Sequence, residues 1–303
     1  MHCIHRGKGE AILFIHGMPT NRMLWDGIIG QLSTHFQCFA VDLPGMGETP
    51  FVPYRSDYLH RMADRLELLR MQHGVERWHV VGHDAGSAIA VEYAGRYQKH
   101  VGCLALLSPA IFPDLKPFFL LNPLRRPVVG EMLAPLLHFV FWKVAMHRAL
   151  EGGKRGPAFQ AFYKRFSGPA GAWQLMRLVR WGKPEEMLGH IPAKLTQLSM
   201  PALLFHGSRD VLPAAFAERA ASLIRHSSMI TLDAGHFLPI ERPGEVAALL
   251  QDFFAENQET LESSVKTAKP LPRRNCAHVF GAEPLSLNED RSIVGIASTV
   301  ASF

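Results

Sequence analysis

The sequence contains few cysteines, and their spacing argues against two kinds of cross-link. The four cysteines stand far apart at positions 3, 38, 103 and 276, and no two of them form a C-x-x-C pair. This spacing disfavours a zinc site and, in a chain of 303 residues, a disulfide framework. Free thiols in a reducing compartment are the simpler interpretation, so we expect a cytoplasmic protein.

Long apolar runs are missing as well. Residues 1–6 lack the apolar core of a signal peptide. The most apolar stretch, residues 132–142, contains Pro135 and His138 and is too short to cross a bilayer. The sequence therefore predicts a soluble protein without a transmembrane segment.

The chain also lacks a strong excess of charge of one sign. Its formal net charge is +5, and its basic residues are scattered or stand in short groups such as Arg125-Arg126. No long basic run alternates with aromatic residues, which argues against nucleic-acid binding. Hydrophobic residues make up 48% of the sequence, enough to bury a substantial core at this length.

Short apolar runs alternate with helical patterns over most of the chain. We expect strands at the apolar runs, which are residues 11–16, 36–42, 78–83, 103–107, 202–206 and 228–232. Helical periodicity is found near residues 58–72, 87–97, 214–224 and 245–255. Strands that are apolar on nearly every residue and alternate with helices predict an α/β fold with a parallel sheet. The residues before position 11 leave room for about one more edge strand.

This alternation is interrupted between residues 111 and 192. The segment is rich in aromatic residues, Leu, Pro and Arg, with helix-like runs at residues 128–150 and 157–181. We interpret it as a helical cap inserted between two parts of a core, residues 1–110 and 193–256. Residues 257–303 mix charge, Ser, Pro and Asn without periodicity, and we expect them to be a disordered extension.

One strand leads directly into a helix through the turn Gly82-His83-Asp84-Ala85-Gly86. Small residues on both sides of a central side chain are the pattern of a nucleophile elbow, which projects that side chain above the strand ends. A central carboxylate is a weak acyl nucleophile, but it can displace a leaving group at an sp3 carbon and form an alkyl ester. We therefore predict that Asp84 is a nucleophile, the alternative being a helix cap.

Further residues near other strand ends complete a predicted site. Backbone N–H groups of Met18 and Ala85 are expected to form an oxyanion hole. Asp210 and His236 each follow an apolar strand, in the order nucleophile, acid, histidine along the chain. We expect His236 to activate water and Asp210 to orient it. Other polar residues nearby are interpreted as structural: His16, Asp42 and Asp233.

Together these motifs resemble the α/β-hydrolase superfamily over residues 4–256, and within it the epoxide hydrolases and haloalkane dehalogenases that use an aspartate nucleophile. The motifs are H-G-x-P at 16–19, G-H-D-x-G at 82–86, G-x-x-D at 207–210 and G-H at 235–236. The resemblance implies a mostly parallel sheet flanked by helices, an inserted helical cap, and neither a cofactor nor a metal.

The resemblance favours an epoxide hydrolase over a dehalogenase. Haloalkane dehalogenases bind the departing halide through a Trp and an Asn at the positions of Ala85 and Met18, and fluoroacetate dehalogenases have an Arg in place of Ala85. Epoxide hydrolases use two cap tyrosines to protonate the epoxide oxygen, and the predicted cap contains one, Tyr163. We therefore expect Tyr163 to be one donor, with the second missing or replaced.

The apolar composition of the predicted cap favours a lipophilic small-molecule substrate. One alternative is a haloalkane or haloacid dehalogenase with an atypical halide site. Another is a non-catalytic ligand-binding protein on a hydrolase scaffold, although all three triad residue types are retained. A serine esterase is less favoured, because Ser87 and Ser108 lie outside the central elbow position.

Overall fold

Seven strands form one sheet in the computed structural model, which describes residues 1–116, 119–140, 146, 157–180 and 182–267. The strands are β1 (Cys3–Arg6), β2 (Glu10–Ile15), β3 (Phe36–Val41), β4 (Trp78–His83), β5 (Val101–Leu107), β6 (Ala202–Gly207) and β7 (Ser227–Leu232). Their order across the sheet is β1-β3-β2-β4-β5-β6-β7. β1 pairs antiparallel with β3, and all the other pairs are parallel.

The strand predictions are confirmed. Each of the six predicted strands lies within two residues of its predicted bounds, and β1 is the additional edge strand. All residues of β4, β5 and β6 are buried. Parallel strands that are buried in this way need cover on both faces, which is the reason their sequences are apolar almost throughout.

Helices connect these strands: α1 (Asp26–Leu32), α2 (Tyr58–Gln72), α3 (Ala85–Arg96), α4 (Val129–Val140), α5 (Pro157–Arg165), α6 (Gly168–Val179), α7 (Pro184–Leu188), α8 (Ile191–Leu195), α9 (Ala214–Leu223), α10 (Leu238–Glu241) and α11 (Pro243–Thr267). Short 3-10 helices span Arg22–Trp25, Gln98–His100 and Phe119–Arg125. The bounds of α2, α3 and α9 agree with the predicted bounds to within two residues.

The described part of the segment between β5 and β6 consists of helices joined by turns and loops, with no strand. The predicted run at residues 157–181 is two helices, α5 and α6. The break falls at Gly168, whose φ of +69° ends regular helix, and Pro169 then fits the first turn of α6. The other predicted run begins as α4, and most of its remainder up to residue 150 lies outside the described residues. The predicted cap boundaries at residues 111 and 192 remain a prediction.

The last helix is longer than predicted. α11 begins at Pro243 and runs to Thr267 rather than ending near residue 255. The added residues include Glu, Gln, Leu and Lys but no Gly or Pro, so nothing in this sequence stops the helix. Residues 1–265 form one compact unit. The predicted disordered extension from residue 257 is instead helical as far as Thr267, and the rest of it lies outside the described residues. No helix among the described residues is long and apolar enough to cross a bilayer.

The first turn of α3 packs closely against the end of β2. A Cβ atom on Gly86 would collide with the backbone carbonyl oxygens of Ile15 and His16. Because backbone atoms cannot move aside as a flexible side chain can, residue 86 has to be glycine for β2 and α3 to approach this closely.

We therefore expect Gly86→Ala to lower the free energy of unfolding by about 1–3 kcal/mol. Gly30→Ala is the matched control, because Gly30 lies inside α1 and a Cβ atom there meets nothing within 4 Å. Alanine in an open helical position is expected to raise stability by about 0.5–1 kcal/mol. Urea unfolding of both variants is the measurement, and a Gly86→Ala protein as stable as the wild type would contradict the packing argument.

Candidate active site

The turn between β4 and α3 holds Asp84 in a backbone conformation that residues other than glycine rarely adopt. Its φ is +50° and its ψ is −125°, a conformation that costs about 1–3 kcal/mol. Backbone hydrogen bonds stabilise it: the Asp84 N–H donates to the carbonyl of Leu107 at 3.1 Å, and the Asp84 carbonyl accepts from Ser87 at 3.0 Å. This is the geometry of a nucleophile elbow.

Backbone donors from two different elements face the Asp84 carboxylate. The N–H of Met18 donates to Oδ2 at 2.9 Å. Burial raises the pKa of Asp84 above its usual value, while the charge of His236 and the N–H groups of Ala85 and Met18 act in the opposite direction. Both predicted backbone donors are therefore placed where they stabilise negative charge on this carboxylate.

The loop that carries Met18 is held by a buried histidine. His16 donates from Nδ1 to the carbonyl of Gly17 at 2.8 Å and accepts at Nε2 from the N–H of Leu43 at 2.9 Å. Burial lowers the pKa of His16 to about 4, so the ring is neutral and can accept at Nε2. A Cβ atom on Gly17 would collide with Asp84, so this glycine lets the loop approach the carboxylate.

His236 lies between two carboxylates. Its Nδ1 donates to Oδ1 of Asp210 at 2.8 Å, and its Nε2 lies 3.8 Å from Oδ1 of Asp84. Because Asp210 fixes the proton on Nδ1, the neutral ring presents the lone pair of Nε2 toward Asp84. The structure therefore brings together the three side chains that the sequence places at separate strand ends.

The two carboxylates change how the ring titrates. Burial alone would raise the pKa of Asp210, but the hydrogen bond and charge of His236 outweigh it and lower the pKa to about 2. Burial alone would lower the pKa of His236, but the hydrogen bond and charge of Asp210, with the charge of Asp84, raise it above its usual value. The imidazolium form is thus stabilised while both neighbours are ionised.

Two residues that the sequence analysis did not assign hold the backbone of His236. Its carbonyl accepts from Nε2 of His83 at 2.9 Å and from Oγ of Ser108 at 3.3 Å. Burial lowers the pKa of His83 to about 3, which keeps this ring a neutral donor. The position of His83 beside Asp84 in the elbow motif is the sequence signal that could have revealed this role.

A cavity of about 530 Å³ lies over Asp84 and His236. Its walls are mostly aliphatic side chains from the core and from α6, such as Leu175 and Leu178. Among the described residues, the titratable side chains that line it are Tyr58, Asp84, Arg125 and His236. The walls are mostly apolar, and among the described residues Asp84 is the carboxylate that faces this space.

Tyr163, the predicted proton donor, does not line this cavity. Its side chain is 42% exposed, and its ring centroid lies 6.1 Å from that of His138. On α5 the buried residues are Phe159 and Phe162, and Phe166 follows the helix at the same spacing. Tyr163 follows Phe159 by four residues, so it lies at the edge of this buried face, with its side chain partly exposed. The role of Tyr163 stays a prediction, whereas Tyr58 on α2 lines the cavity.

The two acids that the sequence analysis interprets as structural bind backbone N–H groups or an arginine. Asp42 accepts from the backbone N–H of Arg22 at 2.8 Å and of Glu48 at 3.0 Å. Asp233 is exposed and pairs with Arg209. His236 donates to Asp210, so Asp210 is the acid that controls the ring.

We expect Asp210→Asn to lower the pKa of His236. The substitution removes the charge that stabilises the imidazolium, so the ring loses its proton at lower pH. NMR titration of imidazole resonances measures the change, with His236→Gln identifying the signal. Asp233→Asn removes a nearby acid that pairs with Arg209, and we expect it to leave the His236 titration unchanged. Equal titration curves in both variants would contradict the assignment of Asp210.

Comparison with known proteins agrees with this fold. The family model for the alpha/beta hydrolase fold matches residues 10–243. The chain is 26% identical to a cis-3-alkyl-4-alkyloxetan-2-one decarboxylase of Shewanella oneidensis, over 89% of this chain and 90% of the relative. It is 25% identical to epoxide hydrolase 3 of Xenopus tropicalis, over 82% of this chain and 72% of the relative.

A similar solved structure is that of a haloalkane dehalogenase from Bradyrhizobium elkani. The TM-score is 0.72 at 24% identity, and the match covers 85% of this chain and 94% of that one. This likeness concerns the fold. With the family match over residues 10–243, the chain belongs to the alpha/beta hydrolase fold family and is an enzyme of that class, with relatives among epoxide hydrolases.

Proposed function

We propose that the chain opens a strained oxygen-containing ring in a lipophilic substrate, an epoxide in the first place, through a covalent ester on Asp84. The observation that carries this proposal is the placement of His236 Nε2 at 3.8 Å from Asp84 Oδ1, under an apolar cavity. A carboxylate in the elbow favours displacement at an sp3 carbon, since attack on an acyl group would give an unstable anhydride.

In the first step Oδ1 of Asp84 attacks a ring carbon and the C–O bond of the ring breaks. Oδ2 is bound to the N–H of Met18, so Oδ1 is the oxygen available to attack. The apolar cavity removes water from this carboxylate, which strengthens its interactions with the substrate. The product of the step is an alkyl ester whose carbonyl oxygen is Oδ2.

In the second step His236 removes a proton from water, and the resulting hydroxide attacks the ester carbon. The oxyanion forms on Oδ2, which accepts from the N–H of Met18 in a carboxylate that the N–H of Ala85 also bonds. The imidazolium gives its proton to the leaving alkoxide, and Asp84 is left as a carboxylic acid. Loss of the acid proton, which replaces the proton that the ring oxygen took up on opening, restores the carboxylate. The first diol then contains one oxygen from the epoxide and one from Asp84, and none from solvent.

An epoxide oxygen needs a proton as the ring opens, and Tyr58 is our candidate donor in place of Tyr163. Tyr58 is buried and lines the same cavity as Asp84. Burial raises the pKa of Tyr58 well above its usual value, so the hydroxyl keeps its proton in the neutral range and can act as an acid.

A second candidate, decarboxylation of an oxetan-2-one, is favoured by Arg125. Asp84 would attack the sp3 ring carbon that is bonded to the ring oxygen. Breaking this C–O bond would release a carboxylate, which needs no proton donor. Arg125 lines the cavity and would offer this anion a cation. Loss of CO₂ would then form a C=C bond with the released electron pair and expel the Asp84 carboxylate, so no water is consumed. The substrate named for the Shewanella oneidensis relative is of this class.

We expect His236→Gln to trap the ester. Without a base for water, hydrolysis of the ester is expected to slow by about 10²–10⁴-fold, while ring opening continues. Mass spectrometry of the peptide that contains Asp84, after incubation with a long-chain alkyl epoxide, measures the adduct. Asp84→Asn is the control and must remain unmodified. Absence of the adduct, together with immediate incorporation of oxygen-18 from solvent into the first diol of the wild type, would overturn the covalent route.

Tyr58→Phe separates the two candidate leaving groups. For an epoxide we expect kcat/KM to fall about 10²-fold or more, since an alkoxide must leave without a proton. For a cis-3,4-dialkyloxetan-2-one we expect little change, and the product to be an alkene and CO₂. Tyr163→Phe should leave both rates unchanged.

A panel of haloalkanes and haloacids tests the alternative of a dehalogenase. Release of halide, with no reaction of epoxides or oxetanones, would replace both candidates by a dehalogenase. If Asp84→Ala had the same activity as the wild type, a ligand-binding protein would be favoured instead.

A further inference from the structure

Two histidines and a buried glutamate meet away from the cavity, on two helices and at the start of a third. His60 lies on α2, Glu92 on α3, and His190 immediately before α8. None of them is among the described residues that line the cavity. Glu92 follows Asp84 by eight residues on the same helix, which corresponds to about 12 Å along its axis. The group is therefore separate from the proposed catalytic residues.

The donor atoms of these residues converge. The Nε2 atom of His190 lies 2.8 Å from Oε2 of Glu92, and the Nε2 atom of His60 lies 3.4 Å from Oε1. One ligand atom from each residue can be chosen so that all three lie within 4.8 Å of one another. Ligands bound to Zn²⁺ at 2.0–2.2 Å in a tetrahedron are about 3.3–3.6 Å apart, so small side-chain rotations reach this spacing.

The glutamate has a coordination position available. Its side chain is fully buried, yet Oε1 makes no hydrogen bond. Oε2 accepts from Lys194 at 2.9 Å as well as from His190. A buried carboxylate oxygen without a hydrogen bond is costly unless a cation or another donor satisfies it. Oε1, rather than Oε2, is thus the oxygen that a cation would bind.

The two imidazoles are arranged as a pair of ligands that solvent can reach. Their rings stack with centroids 5.5 Å apart and an angle of 20° between planes. The Nε2 atoms of both rings lie next to the carboxylate of Glu92. The side chains of His60 and His190 are 44% and 38% exposed, which gives an ion a path to the buried carboxylate.

We propose that His60, Glu92 and His190 form a binding site for a divalent transition-metal ion of the Zn²⁺ class. Two imidazole nitrogens and one carboxylate oxygen are ligands that such ions favour, and water completes a tetrahedron. The ammonium of Lys194 remains on Oε2, where it orients the carboxylate but repels the ion and weakens binding. The bound ion connects α8 to α2 and α3. The site does not depend on the proposed reaction.

Zn²⁺ binding to the full chain tests the proposal, with a protein that carries no polyhistidine tag and has been treated with a chelator. Competition against a chromophoric chelator is expected to give one Zn²⁺ per chain. We expect His60→Gln and His190→Gln each to weaken binding at least 10-fold. We expect Lys194→Met to strengthen it, because the competing cation is removed. Thermal unfolding provides a second readout, in which Zn²⁺ raises the Tm of the wild type but not of His190→Gln.

His100→Gln is the matched control. His100 also pairs with a glutamate, since its Nδ1 lies 3.0 Å from Oε1 of Glu67. Among the described residues, however, His100 and Glu67 do not belong to a group of three ligand residues at the spacing of a metal site. This variant must bind Zn²⁺ as the wild type does. The proposal is wrong if the wild type binds no Zn²⁺, or if both histidine variants retain wild-type affinity while circular dichroism shows that they are folded.

Discussion

The strained backbone of Asp84 is the constraint on which the geometry of the site depends. At φ +50° and ψ −125°, the chain turns within one residue from β4 into α3 and leaves the carboxylate beyond the strand ends. Two glycines allow the surrounding backbone to come close enough to hold this turn. Gly86 lets α3 approach β2, and Gly17 lets the loop that follows β2 approach the carboxylate of Asp84. The same contacts bring the Met18 N–H to Oδ2.

The sheet order explains why residues distant in sequence meet at this turn. β4 is central, with β5 and β6 following on one side, and parallel strands all end at the same edge. Asp210 and His236 follow β6 and β7, so their side chains approach Asp84 from one direction. The carbonyl of His236 accepts from His83, the last residue of β4, and from Ser108, which follows β5. The position of the histidine is thus fixed at its backbone as well as at its ring.

This dependence on strand ends also explains what the sequence could and could not predict. The proximity of Asp84, Asp210 and His236 was predictable, because each follows an apolar strand and a parallel sheet brings such ends together. The position of Tyr163 relative to the cavity was not predictable, because the presence of one tyrosine in a segment does not indicate which side chains face a cavity. Tyr58 could not be found in this way, because the cavity forms only when a distant segment folds over α2.

The convergence of His60, Glu92 and His190 was likewise invisible in the sequence. They come from three helices, and no spacing between them along the chain signals a common site. Only the packing of α8 against α3 brings them together. A local motif, such as the elbow, fixes backbone and side chain within a few residues, whereas a site assembled across helices depends on tertiary packing that no short pattern encodes.

The charges of the site are coupled in a way that suits the two proposed steps. In the resting site, ionised Asp84 and Asp210 both raise the pKa of His236 and favour the imidazolium. Formation of the ester removes the charge of Asp84, so the pKa of His236 falls at the stage when a neutral ring is needed to take a proton from water. The imidazolium then gives its proton to the leaving oxygen, and hydrolysis restores the resting charges of the site. In the proposed reaction the charge of Asp84 thus changes the pKa of His236 between the two steps, while Asp210 holds the ring in one tautomer throughout.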